Sequence, residues 1–125
     1  MDNKKLIGVL YLENEDISDN GQLLINNGLP SIMMIQGDFC GYCTKAKPAF
    51  QSLVNELKNK CNVLTIQTDA SDSESRASAK INKIVPMRGV PAFLLFDANG
   101  KFVSLHQGTR DKEALLNSVK NVLKV

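Results

Sequence analysis

Cys40-Gly41-Tyr42-Cys43 decides how this chain is read. The quartet follows a short apolar run, Ile32-Met33-Met34-Ile35, and precedes residues 44–57, where Ala46, Ala49, Phe50, Leu53, Val54 and Leu57 recur. Intervals of three and four put those six on one face of an amphipathic helix. The run at 31–36 is too short for a helix and suits a strand buried on both faces. Two thiols therefore sit where a strand gives way to a helix. Helix N-termini carry partial positive charge and unsatisfied N–H groups, and both stabilise a thiolate. Cys40, at the helix entrance, is the candidate nucleophile, and Cys43, one turn inward, the resolving thiol. Attack of Cys40 on a disulfide forms a mixed disulfide; attack of Cys43 on the Cys40 sulfur then releases the reduced substrate. A bridge that only stapled this turn would close a very small loop and constrain little chain.

The pattern extends in both directions. Pro48 inside the helix removes a backbone donor and predicts a kink. Residues 62–68 read as a strand carrying Val63, Leu64 and Ile66, and 71–84 as a second helix with Ala77, Ile81 and Ile84 on one face. Residues 92–97 form a strand, Asn99-Gly100 signals a hairpin, and 101–107 return antiparallel. Asp111 is placed to cap a last helix whose core face holds Leu115, Leu116, Val119, Val122 and Leu123. Upstream, 6–12 is apolar enough for a first strand. Asp16 or Ser18 could cap a short helix within 16–27 holding Leu23 and Leu24, before a loop at Asn26-Asn27-Gly28 and Pro30. The order is β-α-β-α-β-α-β-β-α. Strands joined by helices are expected parallel and the hairpin antiparallel, giving an α/β fold with a central mixed sheet flanked by helices on both faces.

Size and composition bound the function. A chain of 125 residues suits one domain, 1–125, with a full core. No apolar stretch of about 18 residues exists to cross a membrane. Fifteen basic and 13 acidic residues leave a formal charge of +2, which suggests neither nucleic acid nor a membrane surface as partner. Three cysteines do not make a secreted disulfide scaffold. The apolar run after Lys4-Lys5 is broken by Gly8, and no small-residue cleavage site follows it. A cytoplasmic, reducing location is therefore expected, with the dithiol starting reduced.

From residue 31 to the C-terminus the chain resembles thioredoxin. The features that carry the resemblance occur in order: Cys-x-x-Cys at a strand end, Pro48 in the following helix, Gly89-Val90-Pro91 before a strand, the Asn99-Gly100 hairpin, Gly108, and a terminal amphipathic helix. The resemblance implies a thioredoxin fold and a protein-disulfide reductase. It implies that Pro91 is cis and faces the dithiol, that Val90 and Pro91 wall the site, and that the Val90 backbone pairs with an extended substrate chain. No bound cofactor is implied, since the chemistry lies in the two sulfurs. The implied partners are disulfide-containing proteins and an electron donor, either a reductase protein or glutathione; a monomer is expected. The departures matter. Tyr42 stands where thioredoxin has proline, a quartet also similar to periplasmic disulfide isomerases, and a more oxidising poise is expected. Met34 stands at the position of the family's buried acid and Thr65 at that of a nearby lysine. Asp69, the nearest other acid, is expected to lie too far away to substitute.

Around the dithiol, Phe39 is a candidate for the hydrophobic rim, and Gly41 and Tyr42 for substrate contact. Gly108 either permits close approach of a substrate chain or serves only the turn. Asp38 and Arg88 read more simply as solvated loop residues. Cys61 reads as a small buried hydrophobe, His106 as structural or solvent-facing, and the acidic, serine-rich 69–75 as a helix-capping loop. Two other functions compete. Cys40, Cys43, Cys61 and His106 can be counted as a Cys₃His zinc set, but the last two stand alone in sequence. A non-catalytic thioredoxin-like binding module would use the groove beside Pro91 and would need neither cysteine.

Overall fold

A computed structural model describes residues 6–37, 40–85 and 89–125. Its strands are β1 (Leu10–Tyr11), β2 (Ser31–Gln36), β3 (Asn62–Gln67), β4 (Ala92–Phe96) and β5 (Phe102–Leu105). Its helices are α1 (Gly41–Glu56), α2 (Asp72–Asn82) and α3 (Lys112–Leu123), with a 3-10 turn at Asn14–Asp16. The five strands form one mixed sheet in the order β1-β3-β2-β4-β5.

The centre of this sheet follows from the alternation within β2. Ile32 and Met34 pack with Phe50 and Leu53 of α1 and Leu115 and Val119 of α3. Met33 and Ile35 face the other way, onto Leu64, Ile66 and the α2 residues Ala77 and Ile81. Successive side chains on a strand point to opposite faces, so β2 feeds two cores and all six of its residues are buried. α1 continues through Pro48 as one helix. α2 begins where the acidic, serine-rich stretch ends: the Ser71 hydroxyl accepts the Glu74 N–H at 3.1 Å, with Asp72 and Glu74 in the first turn.

Four expectations need correction. Strands joined by helices are not all parallel: β3 is parallel to β2, but β4 is antiparallel to β2, so the connection through α2 reverses direction. α2 ends at Asn82 and β4 starts at Ala92. Second, 16–27 holds no α-helix. Ile17 and Leu23 meet in an isolated antiparallel bridge across a turn at Gly21, whose φ is +83°. Leu23 is buried and Leu24 exposed, the alternation of extended chain rather than of a helix. Asp16 closes the 3-10 turn by accepting the Glu13 N–H, and the Ser18 hydroxyl accepts the Gln22 N–H. Third, only Leu10–Tyr11 of the expected first strand joins the sheet, because Gly8 turns the chain with φ +80° and leaves Ile7 exposed. Fourth, Ile84 lies beyond the end of α2 and Val122 on the outer side of α3, both exposed. Asp111 occupies the N-cap position of α3, but its carboxylate accepts from the Thr109 hydroxyl rather than from the helix.

Candidate active site

The end of β2 and the start of α1 bring the thiols together. Cys40 is the N-cap of α1, with an extended backbone at φ −112° and ψ 105°. Its sulfur accepts the Cys43 N–H at 3.0 Å. A cap side chain satisfies one of the orphan donors of the first turn; here the acceptor is sulfur, so the same N–H favours a negative Cys40 when the pair is reduced. Cys40 and Cys43 are joined by a disulfide, with Cα atoms 5.1 Å apart. Cys43 is buried against the α1–α3 core and Cys40 is partly exposed. An incoming disulfide can therefore reach Cys40 first.

Val90 and Pro91 stand against the outer sulfur. Their peptide bond is cis, and the Val90 carbonyl oxygen lies 3.6 Å from Cys40 Sγ. Val90 is exposed and Pro91 buried. Beyond them lies a groove of about 730 Å³ lined by Val90, Pro91, Phe93, His106, Gly108 and Arg110 among others. Gly108 has φ +107°, and a side chain there would meet open space. Gly41 also faces open space, and Tyr42 is 66 % exposed. The structure thus brings Cys40, Cys43, Val90 and Pro91 together with Gly41, Tyr42 and Gly108 around them. Phe39, Asp38 and Arg88 lie outside the described residues.

Three groups at this end carry more than the sequence suggested. His106 forms a wall of the groove: its N–H pairs with the Phe93 carbonyl at 2.8 Å and its ring meets Phe93 edge-on at 6.1 Å. Nε2 donates to the Thr109 carbonyl at 2.6 Å, which leaves Nδ1 to accept from the Ser118 hydroxyl at 2.5 Å. Counting back from the Asn99-Gly100 hairpin places His106 opposite the start of β4, and that count was the available signal. Asp69 is the second. A Cβ built on Gly37 would lie 3.8 Å from Asp69 Oδ2, 3.9 Å from Cys40 Cβ and 3.6 Å from Val90 Cγ2. The carboxylate is therefore at the dithiol end of the sheet, not remote from it. The third is a pair of cations, Lys45 and Arg110, beside Tyr42.

The sheet beneath Cys43 is apolar at Met34, which is fully buried in the same core cluster. Thr65 pairs with Met34 in register; its hydroxyl donates to the Met34 carbonyl at 2.7 Å and accepts from the buried Gln36 amide at 2.8 Å. The two positions that differ from the family pattern thus form a satisfied, uncharged floor.

Cys61 lies at the opposite end. It immediately precedes Asn62, which pairs with Ser31 at the start of β2, whereas the dithiol follows the end of β2. Six residues of strand span about 17–20 Å, so Cys61 and the dithiol cannot share one metal ion. Among the described residues no three His, Cys, Asp or Glu side chains are grouped to hold a metal. Burial pushes the Cys61 thiol up to about 12. In the oxidised protein it is the free cysteine. From about pH 9 upward the unfolded chain releases this proton while the folded chain keeps it, so stability falls with rising pH by at most about 1.4 kcal/mol per unit. Cys61→Ala is expected to flatten that alkaline loss in urea titrations of the oxidised protein. Parallel declines in the two proteins would mean the folded thiol ionises as freely as the unfolded one.

Comparisons with known proteins agree with this architecture. The thioredoxin family pattern matches residues 17–121. Protein 453L of Invertebrate iridescent virus 6, named as thioredoxin-like, is 34% identical over 108 residues, covering 74% of this chain and 78% of that protein. Protein 196R of the same virus, whose description assigns no function, is 30% identical over 92 residues, covering 74% of this chain and 51% of its own length. The chain thus spans about half of that second relative. With a mixed sheet between helices, a dithiol capping the helix after the central strand and a family match over most of its length, the chain belongs to the thioredoxin family.

Proposed function

We propose that the protein is a thiol–disulfide oxidoreductase that reduces or exchanges disulfides in protein substrates through Cys40 and Cys43. The observation that carries this reading is the asymmetry of the pair. Cys40 is partly exposed at the helix entrance, accepts the Cys43 N–H and touches the Val90 carbonyl, while Cys43 is buried behind it. The Cys40 thiolate attacks one substrate sulfur; that S–S bond breaks and the other sulfur leaves as a thiolate that takes a proton. Cys43 gives up its proton and attacks the Cys40 sulfur. The substrate leaves with two electrons gained and the protein is left as the disulfide. A thiol donor, either a reductase protein or glutathione, returns it to the dithiol. The exposed Val90 backbone beside the groove suits an extended substrate chain added as a strand. We place this activity in a reducing compartment, with the protein acting as a monomer.

A second reading within the same chemistry is an isomerase or oxidase. Lys45 and Arg110 stand near the quartet and the helix entrance faces Cys40. Positive charge there stabilises the reduced thiolate, and a stabilised reduced form makes a stronger oxidant. Equilibration of the Cys40–Cys43 pair in glutathione buffers, with alkylation and mass readout, decides between them. A potential near about −270 mV marks a reductase, and one near about −180 mV or higher an isomerase or oxidant. If no intramolecular disulfide forms at any poise, the oxidoreductase reading is wrong and a binding module in the Pro91 groove replaces it.

A further inference from the structure

Two cations converge on one ring beside the dithiol. Lys45 Nζ and Arg110 Cζ each lie 5.7 Å from the centre of the Tyr42 ring. Lys45 is three residues along α1 from Tyr42 and shares its face; Arg110 arrives from the segment before α3. Neither is ion-paired among the described residues, where the salt bridges join Lys80 to Asp19 and Lys112 to Glu56. Asp111, next in the chain to Arg110, accepts from the Thr109 hydroxyl at 2.6 Å. Two cations without a carboxylate partner among the described residues share one exposed ring, and an anion within reach of them gains from charge that the ring only partly offsets. The space for it exists: Tyr42, Lys45, Ala46, Gly108, Thr109 and Arg110 line a recess of about 320 Å³. Gly108 and Arg110 also line the groove beside Val90 and Pro91, so the recess continues the groove.

We infer that this recess is a carboxylate subsite that selects protein substrates carrying Asp or Glu a few residues from the target disulfide. The inference rests on the redox reading of Cys40. A substrate chain whose cysteine reaches Cys40 passes along Val90, and its neighbouring residues arrive at Tyr42 and Gly108. A carboxylate there meets Lys45, Arg110 and the positive end of α1, which together supply the complementary charge. The exposed Tyr42 ring presents an apolar surface to the substrate stem.

The test uses two disulfide-bonded peptides that differ only in Glu or Gln near the cysteine, with kcat/KM followed by alkylation and mass readout. The wild-type protein is expected to favour the Glu peptide by about fivefold at low salt. At about 0.5 M salt the preference should shrink, because the contact is exposed and screened. In Lys45→Gln/Arg110→Gln the ratio should fall to about one, whatever the absolute rates. Equal kcat/KM for the two peptides in the wild type overturns the subsite while leaving the oxidoreductase reading intact, and so does a preference that survives in the double variant. If neither peptide is reduced, the oxidoreductase reading falls and the subsite with it.

Discussion

Cys40→Ser is expected to lower disulfide reduction by at least about 10³-fold, while Cys43→Ser should stop the reaction halfway and trap substrate on Cys40. The two variants differ because the sulfurs occupy different environments. Cys40 is partly exposed and holds the cap position, where the Cys43 N–H supports its charge. A serine hydroxyl in the same place is a far weaker nucleophile at neutral pH, and no described group replaces the lost sulfur. Cys43 is buried and meets the substrate only through Cys40. Its replacement leaves the first attack intact and removes the second, so a mixed disulfide should accumulate at a rate close to that of normal turnover. Intact mass under non-reducing conditions reads the adduct directly. Turnover retained in Cys40→Ser, or an adduct found on Cys61 instead of Cys40, would assign the chemistry to the wrong sulfur.

Gly100→Ala is expected to destabilise the fold by about 2–3 kcal/mol, far more than an ordinary surface substitution. Gly100 has φ +83°, a conformation that costs a residue with a Cβ. The added methyl would also sit 2.2 Å from the Leu23 carbonyl oxygen, which is backbone and cannot rotate away. The close approach has a purpose, since the Leu23 N–H donates to the Gly100 carbonyl at 2.9 Å and fixes the 21–25 segment to the β4–β5 hairpin. Leu23 is buried in the α2-side core, so relieving the clash moves a core residue. Urea denaturation of wild type and variant measures the effect. A midpoint shift worth under about 0.5 kcal/mol would show that the hairpin gives way without cost to that core.

The parts of the fold legible in the sequence are those with a period. Phe50, Leu53 and Leu57 announced α1, and the alternating demands on β2 appear as a short apolar run because both of its faces are covered. Segment 16–27 departs from the expected helix because its burial is set by long-range bonds. Leu23 is held by Gly100, and the Lys80 ammonium is held by the carbonyls of Asn14 and Ile17 at 2.9 and 2.8 Å. No local signal encodes partners that distant. The same division holds at the site. The quartet is legible because its spacing is itself the chemistry, and Val90-Pro91 through the resemblance to thioredoxin. Asp69, His106 and Arg110 were not, because each reaches the dithiol end through a strand pairing or a loop. Lys45 was within reach of sequence reasoning, since it lies three residues after Tyr42, but a net charge of +2 over the whole chain hid the local concentration.

β2 occupies the middle of the five strands and is sealed on both sides. Its amides are paired in the ladders to β3 and β4, so solvent reaches them only when the sheet itself comes apart. The dithiol is fastened to the end of that strand, and its geometry therefore belongs to the slowest-opening unit of the molecule. Gly108, in the segment between β5 and α3, lies outside that unit. A partly melted protein would thus keep its sulfurs in register while its substrate contacts wandered, and oxidation of the pair would outlast selective recognition as conditions grow harsher.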